Sequence, residues 1–132
     1  MAEKKKYYRD ILSEAMGGVM FRKDLVVHHL NHNRNDNRVE NLLLIPRSLH
    51  SRYHAAYNEL KLFRKIDLYK VDSMNLACHS VIRNFFEYKC DMEKFMFAQE
   101  NCIFSIRNGA DIDEQIRIYC LSVRNLISKY EK

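Results

Sequence analysis

The pattern of apolar and polar positions predicts helices at both ends of the chain and a short strand-containing segment near the N-terminus. Apolar residues at three- and four-residue spacing in "KKKYYRDILSEAMGG" predict a first helix, which Gly17 and Gly18 should end. "FRKDLVVHHL" and "LLLIP" are brief apolar runs on either side of "NHNRNDNRVEN", a polar stretch rich in turn residues. We therefore predict a strand, a long loop and a second strand.

Helical spacing dominates after the second strand. Ser48, just after Pro46, can cap a helix that reaches the mid-sixties. Apolar stripes over 74–86 and 92–106 then predict two further amphipathic helices, the second ending at Asn-Gly 108–109.

A last helix should follow, because Asp111 and Glu114 resemble a capping box and an apolar stripe runs from Ile112 to Tyr130. The predicted fold class is therefore α+β, mainly α: two short antiparallel strands and a helix, followed by a helical C-terminal half.

Charge is unevenly distributed along the 132 residues. Residues 1–70 carry 14 Lys and Arg against 8 Asp and Glu, whereas residues 71–132 carry 8 against 9. The change near Lys70 predicts an N-terminal core, 1–70, and a helical part, 71–132, that packs on this core or forms an oligomer interface. The positive first part favours a polyanionic partner, and a solvated basic surface is an equal alternative.

Several classes of protein are disfavoured by composition. The sequence has no run of eighteen apolar residues and no apolar stretch of a secretory signal after its first lysines, so we expect an intracellular protein with no membrane partner. The four cysteines form no CxxC pair, which argues against a zinc knuckle or a redox motif. We expect all four to be buried as small hydrophobic residues: Cys78, Cys90, Cys102 and Cys120.

Five of the six histidines lie between the first predicted strand and the helix after the second. His28 and His29 are neighbours on a strand, so their side chains should point to opposite faces and can serve different purposes. His50 and His54 are four residues apart on a helix, a spacing that suits two nitrogen ligands on one metal ion. Asn41 lies where the loop returns, and its amide can fix a backbone carbonyl or an imidazole.

Such a set of side chains suits hydrolysis of a phosphodiester. A divalent cation can polarise the phosphate and neutralise the leaving 3′ oxygen, while a neutral histidine outside the ligand sphere takes a proton from water. Histidine is suited to that step because its pKa lies near neutrality.

The segment resembles the HNH, or ββα-metal, nucleases in its paired histidines, its loop with Asn31, Asp36 and Asn37, and its "NRVENL" and "RSLHSRYH" stretches. The resemblance implies that His29 is the general base and that Asn41 holds the loop and the base in position. It also implies that His28 and His50 bind the metal. His54 would be a third ligand or, equally, a contact to the substrate or to the metal ligands.

By the same resemblance, the chain is expected to be a metal-dependent DNA endonuclease that leaves 5′-phosphate and 3′-hydroxyl ends. Mg²⁺ or Mn²⁺ is the expected ion, and the histidine ligands also suit Zn²⁺ or Ni²⁺. A phage, mobile-element, restriction or toxin nuclease would fit equally, and a homodimer remains open. Four arginines beside the histidines are expected, as a set, to contact DNA phosphates, whereas any single one of them could instead be a solvated surface charge: Arg34, Arg38, Arg47 and Arg52. That surface could be extended by Lys4, Lys5, Lys6, Arg22 and Lys23.

Two alternatives differ in class. In the first, His28, His50 and His54 hold a structural zinc in a non-catalytic module that binds nucleic acid. His29 distinguishes this zinc module from a nuclease, because hydrolysis requires a free base and a closed structural site does not. The second is a helical interaction protein with a decayed nuclease motif, which is disfavoured because every expected motif position is filled.

Many HNH relatives stabilise the motif with cysteine pairs around zinc. This chain has no such pairs, so we expect its helices to stabilise the motif. His32, in the loop, is expected to be solvent-exposed or to contact phosphate, and not to bind metal.

Overall fold

The computed structural model describes residues 8–18, 21–64 and 75–131, with side chains described for 8–18, 21–61 and 83–131. Its elements, in chain order, are α1 (Tyr8–Ala15), β1 (Leu25–His29), a 3-10 turn (Val39–Asn41), β2 (Leu42–Pro46), α2 (Arg47–Arg64), α3 (Asn75–Arg107) and α4 (Ile112–Tyr130). The predicted α+β class, mainly helical with two antiparallel strands followed by a helix, is confirmed. The predicted boundary near Lys70 lies outside the described residues.

The two strands form an antiparallel hairpin in which Leu25 pairs with Pro46 and His29 pairs with Leu42. Every residue of β2 is buried. Its outer edge is closed by the buried Gln99 of α3, whose amide donates to the Leu42 carbonyl at 2.7 Å and accepts from the Leu44 N–H at 3.0 Å. The hairpin is therefore fixed to the helical half through its backbone.

Helix α1 ends as predicted, at two glycines with positive φ. Gly17 and Gly18 have φ of 83° and 84°, and the Gly18 N–H reaches back to the Ser13 carbonyl at 2.8 Å. Glycine adopts this backbone conformation without the steric cost of a Cβ atom. Arg9 of α1 then ties the helix to the start of the hairpin by donating to three backbone carbonyls, those of Phe21, Arg22 and Leu25.

Two predictions about helix boundaries are wrong. Residues 75–86 of the first stripe and all of the second, 92–106, belong to one continuous helix, α3, because no glycine or proline lies between Asn75 and Arg107 to end it. Helix α2 begins at Arg47, directly after the last residue of β2, so Ser48 lies inside the first turn and does not precede the helix.

The predicted start of α4 is confirmed. Asp111 is the N-cap of the helix, and its carboxylate accepts from the Glu114 N–H at 2.9 Å. Gly109, with a φ of 88°, makes the turn between α3 and α4. None of the helices in the described ranges combines the length and apolar character needed to cross a membrane.

One hydrophobic core joins the hairpin to the helices, and it includes Leu12 of α1, Leu43 of β2, Leu49 of α2, Phe95 of α3 and Val123 of α4. All five of these side chains are fully buried.

A polar contact also joins the last two helices. The buried Asp91 of α3 accepts from the Tyr130 hydroxyl and from the Lys129 ammonium group of α4. The prediction that the cysteines are buried holds for Cys102 but is wrong for Cys90 and Cys120, which are exposed. These two lie on the solvent sides of α3 and α4, whereas the side chain of Cys78 is outside the described residues.

Candidate active site

Three histidines from two elements meet beside the hairpin. His28 projects from β1, and His50 and His54 lie one turn apart on α2. The ring centroids are 5.4 Å apart for His28 and His50, 5.2 Å for His28 and His54, and 4.5 Å for His50 and His54. One nitrogen of each ring lies within 4.8 Å of the others, and among the described residues this is the group of potential metal ligands. Two nitrogens bound to one ion at 2.0–2.1 Å are about 3 to 4 Å apart. Small rotations of the three histidine rings would therefore suffice for them to bind a single metal ion.

The buried His28 also has no hydrogen-bonding partner. Its side chain is 1% exposed, and neither ring nitrogen has a partner in the described part of the chain. Burial of a polar group without a partner is costly, so a cation that accepts a nitrogen lone pair would remove this penalty. The residues present therefore fit a divalent metal ion.

Electrostatics keep these imidazoles in the neutral form that binds metal. Burial, together with the neighbouring His50 and His54, lowers the pKa of His28 from 6.5 to about 3. Burial, followed by the effects of His54 and Arg34, lowers the pKa of His50 to about 4. Burial also lowers the pKa of His54. At neutral pH all three rings therefore present lone pairs, as metal ligands must.

His29 lies in a different environment from its neighbour. Its Nε2 is 2.8 Å from Oδ1 of Asn37 in the loop, and its ring is in edge-to-face contact with Tyr8 of α1, with centroids 4.9 Å apart. With the amide oxygen as acceptor, Nε2 donates and Nδ1 keeps a lone pair that can accept a proton. His29 does not belong to the group of three potential metal ligands, so its ring is free for a role other than metal binding.

Asn41 holds the loop between the strands. Its amide donates to the Asn31 side chain at 2.9 Å and to the Asp36 carbonyl at 2.8 Å, and its oxygen accepts from the Asn31 N–H at 3.0 Å. The prediction that its amide can fix a backbone carbonyl agrees with this geometry. The residue hydrogen-bonded to the His29 ring is Asn37, which the sequence analysis places in the motif loop without a role of its own.

His32 approaches the metal-ligand group from the loop. It has a φ of 62°, rare for a residue other than glycine, and its Nε2 lies 3.2 Å from the Tyr53 hydroxyl. Its ring is 5.4 Å from that of His54 and 4.5 Å from that of Tyr57. It is exposed, as expected, and it is outside the set of potential ligands.

The four arginines that were predicted to bind nucleic acid fall into three settings. Arg34 lines the cleft that contains the histidines. Arg38 makes two hydrogen bonds to Asp36, at 2.8 and 2.9 Å, and holds the pKa of that carboxyl at about 2. Arg47 and Arg52 line a neighbouring cavity. All four are exposed, and the histidine cleft and the neighbouring cavity share none of them.

The histidines open into one cleft of about 410 Å³. It brings together the three potential metal ligands, His29 and positively charged Arg34, and its remaining lining residues are Tyr8, Val27, His32 and Ser51. Tyr8 was predicted only as part of the apolar stripe of α1, and no local signal connected it with a histidine twenty-one positions away. A potential base, His29, therefore shares one solvent-accessible cleft with the three potential metal ligands and the positively charged side chain of Arg34.

Hairpin, loop and helix thus form a ββα motif that carries its histidines in one cleft. Residues 14–52 match the family model described as HNH endonuclease. This segment, which includes His28, His29, Asn41 and His50, belongs to the HNH family, whose members are generally nucleases. The match ends before His54 and does not include α3 or α4. Searches of curated proteins and of solved structures found no match to the chain.

Proposed function

We propose that the protein is a metal-dependent DNA endonuclease that hydrolyses phosphodiester bonds to 5′-phosphate and 3′-hydroxyl ends. The observation that carries the proposal is the pairing of two kinds of histidine in one cleft. His28 is buried, neutral and without a hydrogen-bonding partner, whereas His29 is held by Asn37 outside the ligand group. The basic character of residues 1–70 supports a polyanionic substrate.

His29 would act as the general base. Its ring accepts a proton from water as the water oxygen bonds to phosphorus and the bond from phosphorus to the 3′ oxygen breaks. The hydrogen bond to Asn37 fixes one tautomer, and the contact with Tyr8 restricts rotation of the ring. Arg34, on the same cleft, would bind a non-bridging phosphate oxygen.

His28, His50 and His54 would hold the divalent ion. When bound, such an ion acts as a Lewis acid on the phosphate and neutralises charge on the leaving oxygen. Mg²⁺ or Mn²⁺ fits the chemistry, and Zn²⁺ or Ni²⁺ fits the nitrogen ligands. Asn41 would act indirectly, by holding the loop that carries Asn37.

Plasmid cleavage by the purified protein tests the proposal. The assay compares EDTA with each of the four ions and compares the wild type with His29→Ala. We expect metal-dependent nicking or linearisation that His29→Ala reduces by about 10²- to 10⁴-fold, the usual contribution of a general base. Metal binding, measured by calorimetry, should persist in His29→Ala and be lost in His28→Ala.

His79→Ala is the matched histidine control, because that residue lies on α3, outside the HNH segment. If the wild type and His29→Ala bind metal tightly and neither cuts DNA, the structural-zinc module is the better account. Products with 3′-phosphate ends would contradict the proposed direction of cleavage.

A further inference from the structure

A second cavity, of about 690 Å³, lies next to the histidine cleft, and Ser51 of α2 lines both. Three arginines contribute to its wall. Arg22 comes from the segment before β1, and Arg47 and Arg52 come from the first two turns of α2. A molecule that extends out of the histidine cleft past Ser51 would therefore meet these guanidinium groups.

Two carboxylates also line this cavity, and both are engaged by Arg22. Its guanidinium makes hydrogen bonds of 3.0 and 2.8 Å to Asp24 and a further one to Glu131. These contacts fix Arg22 in place between the two carboxylates. With three arginines and two carboxylates, the lining of the cavity has a net charge of +1, and this excess positive charge comes from the two arginines of α2.

Arg47 and Arg52 are available to an external anion. Within the described part of the chain, neither makes an ion pair, and both are exposed. The Arg52 guanidinium lies 5.7 Å from the centre of the Tyr130 ring, and the hydroxyl of that ring is held by Asp91. Stacking on an aromatic ring restrains a guanidinium while its N–H groups stay free to donate, which suits recognition of a phosphate.

We propose that this arginine cavity is a second phosphate subsite, which binds a phosphodiester of the same DNA strand near the bond that is cut. At 1.5 Å per helical residue, Arg47 lies roughly 5 Å along α2 from His50 and roughly 10 Å from His54. One DNA strand carries a phosphate about every 3.4 Å of helix axis, so the subsite is one to three phosphates away. It would position the strand without reading its sequence.

The inference rests on the proposed function, and its test uses DNA binding without cleavage. A fluorescently labelled duplex is titrated with the full chain in EDTA at several salt concentrations, and binding is followed by anisotropy. Arg47→Ala, Arg52→Ala and the double variant are compared with Lys89→Ala, which removes one exposed positive charge from α3 and lines neither cavity. Each arginine variant should weaken binding and lower the slope of log affinity against log salt by about 1, and the double variant by about 2.

Arg52→Lys separates a charge effect from a folding effect. It keeps the positive charge beside Tyr130, so it should keep the wild-type salt slope, and circular dichroism should show that all variants melt like the wild type. The subsite is overturned if the arginine variants bind with the slope of Lys89→Ala, or if the wild type binds no DNA.

The test also distinguishes the subsite from the nuclease proposal. DNA binding that depends on both arginines, in a protein that never cuts, would support the subsite and refute the nuclease. Metal-dependent cleavage with arginine variants that behave like Lys89→Ala would refute the subsite alone.

Discussion

Loss of stability in mild acid should be a direct consequence of the buried His28. The folded protein keeps this ring neutral down to a pKa of about 3, because burial and the neighbouring His50 and His54 disfavour its charge. In the unfolded chain the same ring takes up a proton near pH 6.5. Between these two values the unfolded state binds more protons than the folded state, so the free energy of unfolding must fall as the pH falls.

The size of the effect follows from the two pKa values. Between pH 7 and pH 5, the lowered pKa of His28 should decrease the free energy of unfolding of the metal-free protein by about 2 kcal/mol. His50, whose pKa is lowered to about 4, acts in the same direction. Its contribution should be smaller than that of His28, because it is half-buried and its charge is partly screened by solvent.

Urea unfolding in EDTA at pH 7 and pH 5, followed by circular dichroism, measures this difference. His28→Leu removes the titrating group and fills the same space with an apolar side chain, so it should lose about 2 kcal/mol of the pH dependence. A saturating divalent ion should stabilise the wild type at pH 7, by about 2.7 kcal/mol at one hundred times its Kd, and less at pH 5, where protons compete. Equal pH dependence in the wild type and His28→Leu would refute the reasoning.

Three further predictions concern residues in contact with the hairpin. Asn37→Ala removes the partner of the His29 ring and should reduce cleavage by about 10- to 100-fold with metal affinity unchanged, whereas Asn35→Ala, on the exposed loop, should have no effect. Equal loss in both asparagine variants would point to a disordered loop. Gln99→Leu leaves two backbone groups of β2 unpaired and should lower the free energy of unfolding by about 3 kcal/mol, as measured in urea; an unchanged midpoint would show that water replaces the amide. Arg9→Ala should lower the melting temperature, since three carbonyls lose a charged donor, and Arg9→Lys should recover part of the loss.

The ββα motif was predictable because its signals are local. Two apolar runs flank a polar loop, and Pro46 closes the second run. The spacing of His50 and His54 needs only the helical repeat to bring them onto one face. The length of α3 was not predictable in the same way. Its apolar stripe moves to a different side of the helix near residues 87–91, between the two stretches that the sequence analysis assigns to separate helices. A change of phase resembles a break between helices unless a glycine or proline marks the boundary.

The contacts that complete the site come from distant parts of the chain. Tyr8 reaches His29 from α1, and Gln99 reaches β2 from the middle of α3. In the sequence, both occur within helical stripes and carry no sign of a partner. Asn37 did carry a signal, because it lies in the loop that resembles the HNH motif. Several asparagines share that loop, however, and only the three-dimensional structure distinguishes the one that is hydrogen-bonded to His29.

The helical half explains how this motif can be stable without cysteine pairs. A two-stranded sheet alone is at best marginally stable in water, so the hairpin needs a partner for its faces and its edge. Helix α3 supplies both, with Phe95 in the shared core and Gln99 on the edge of β2. His28, on the neighbouring strand, lies against His50, Tyr53 and His54 of α2, where burial holds its ring neutral. In this chain, α3 therefore stabilises the hairpin through its core and its edge, while α2 surrounds the buried imidazole of His28.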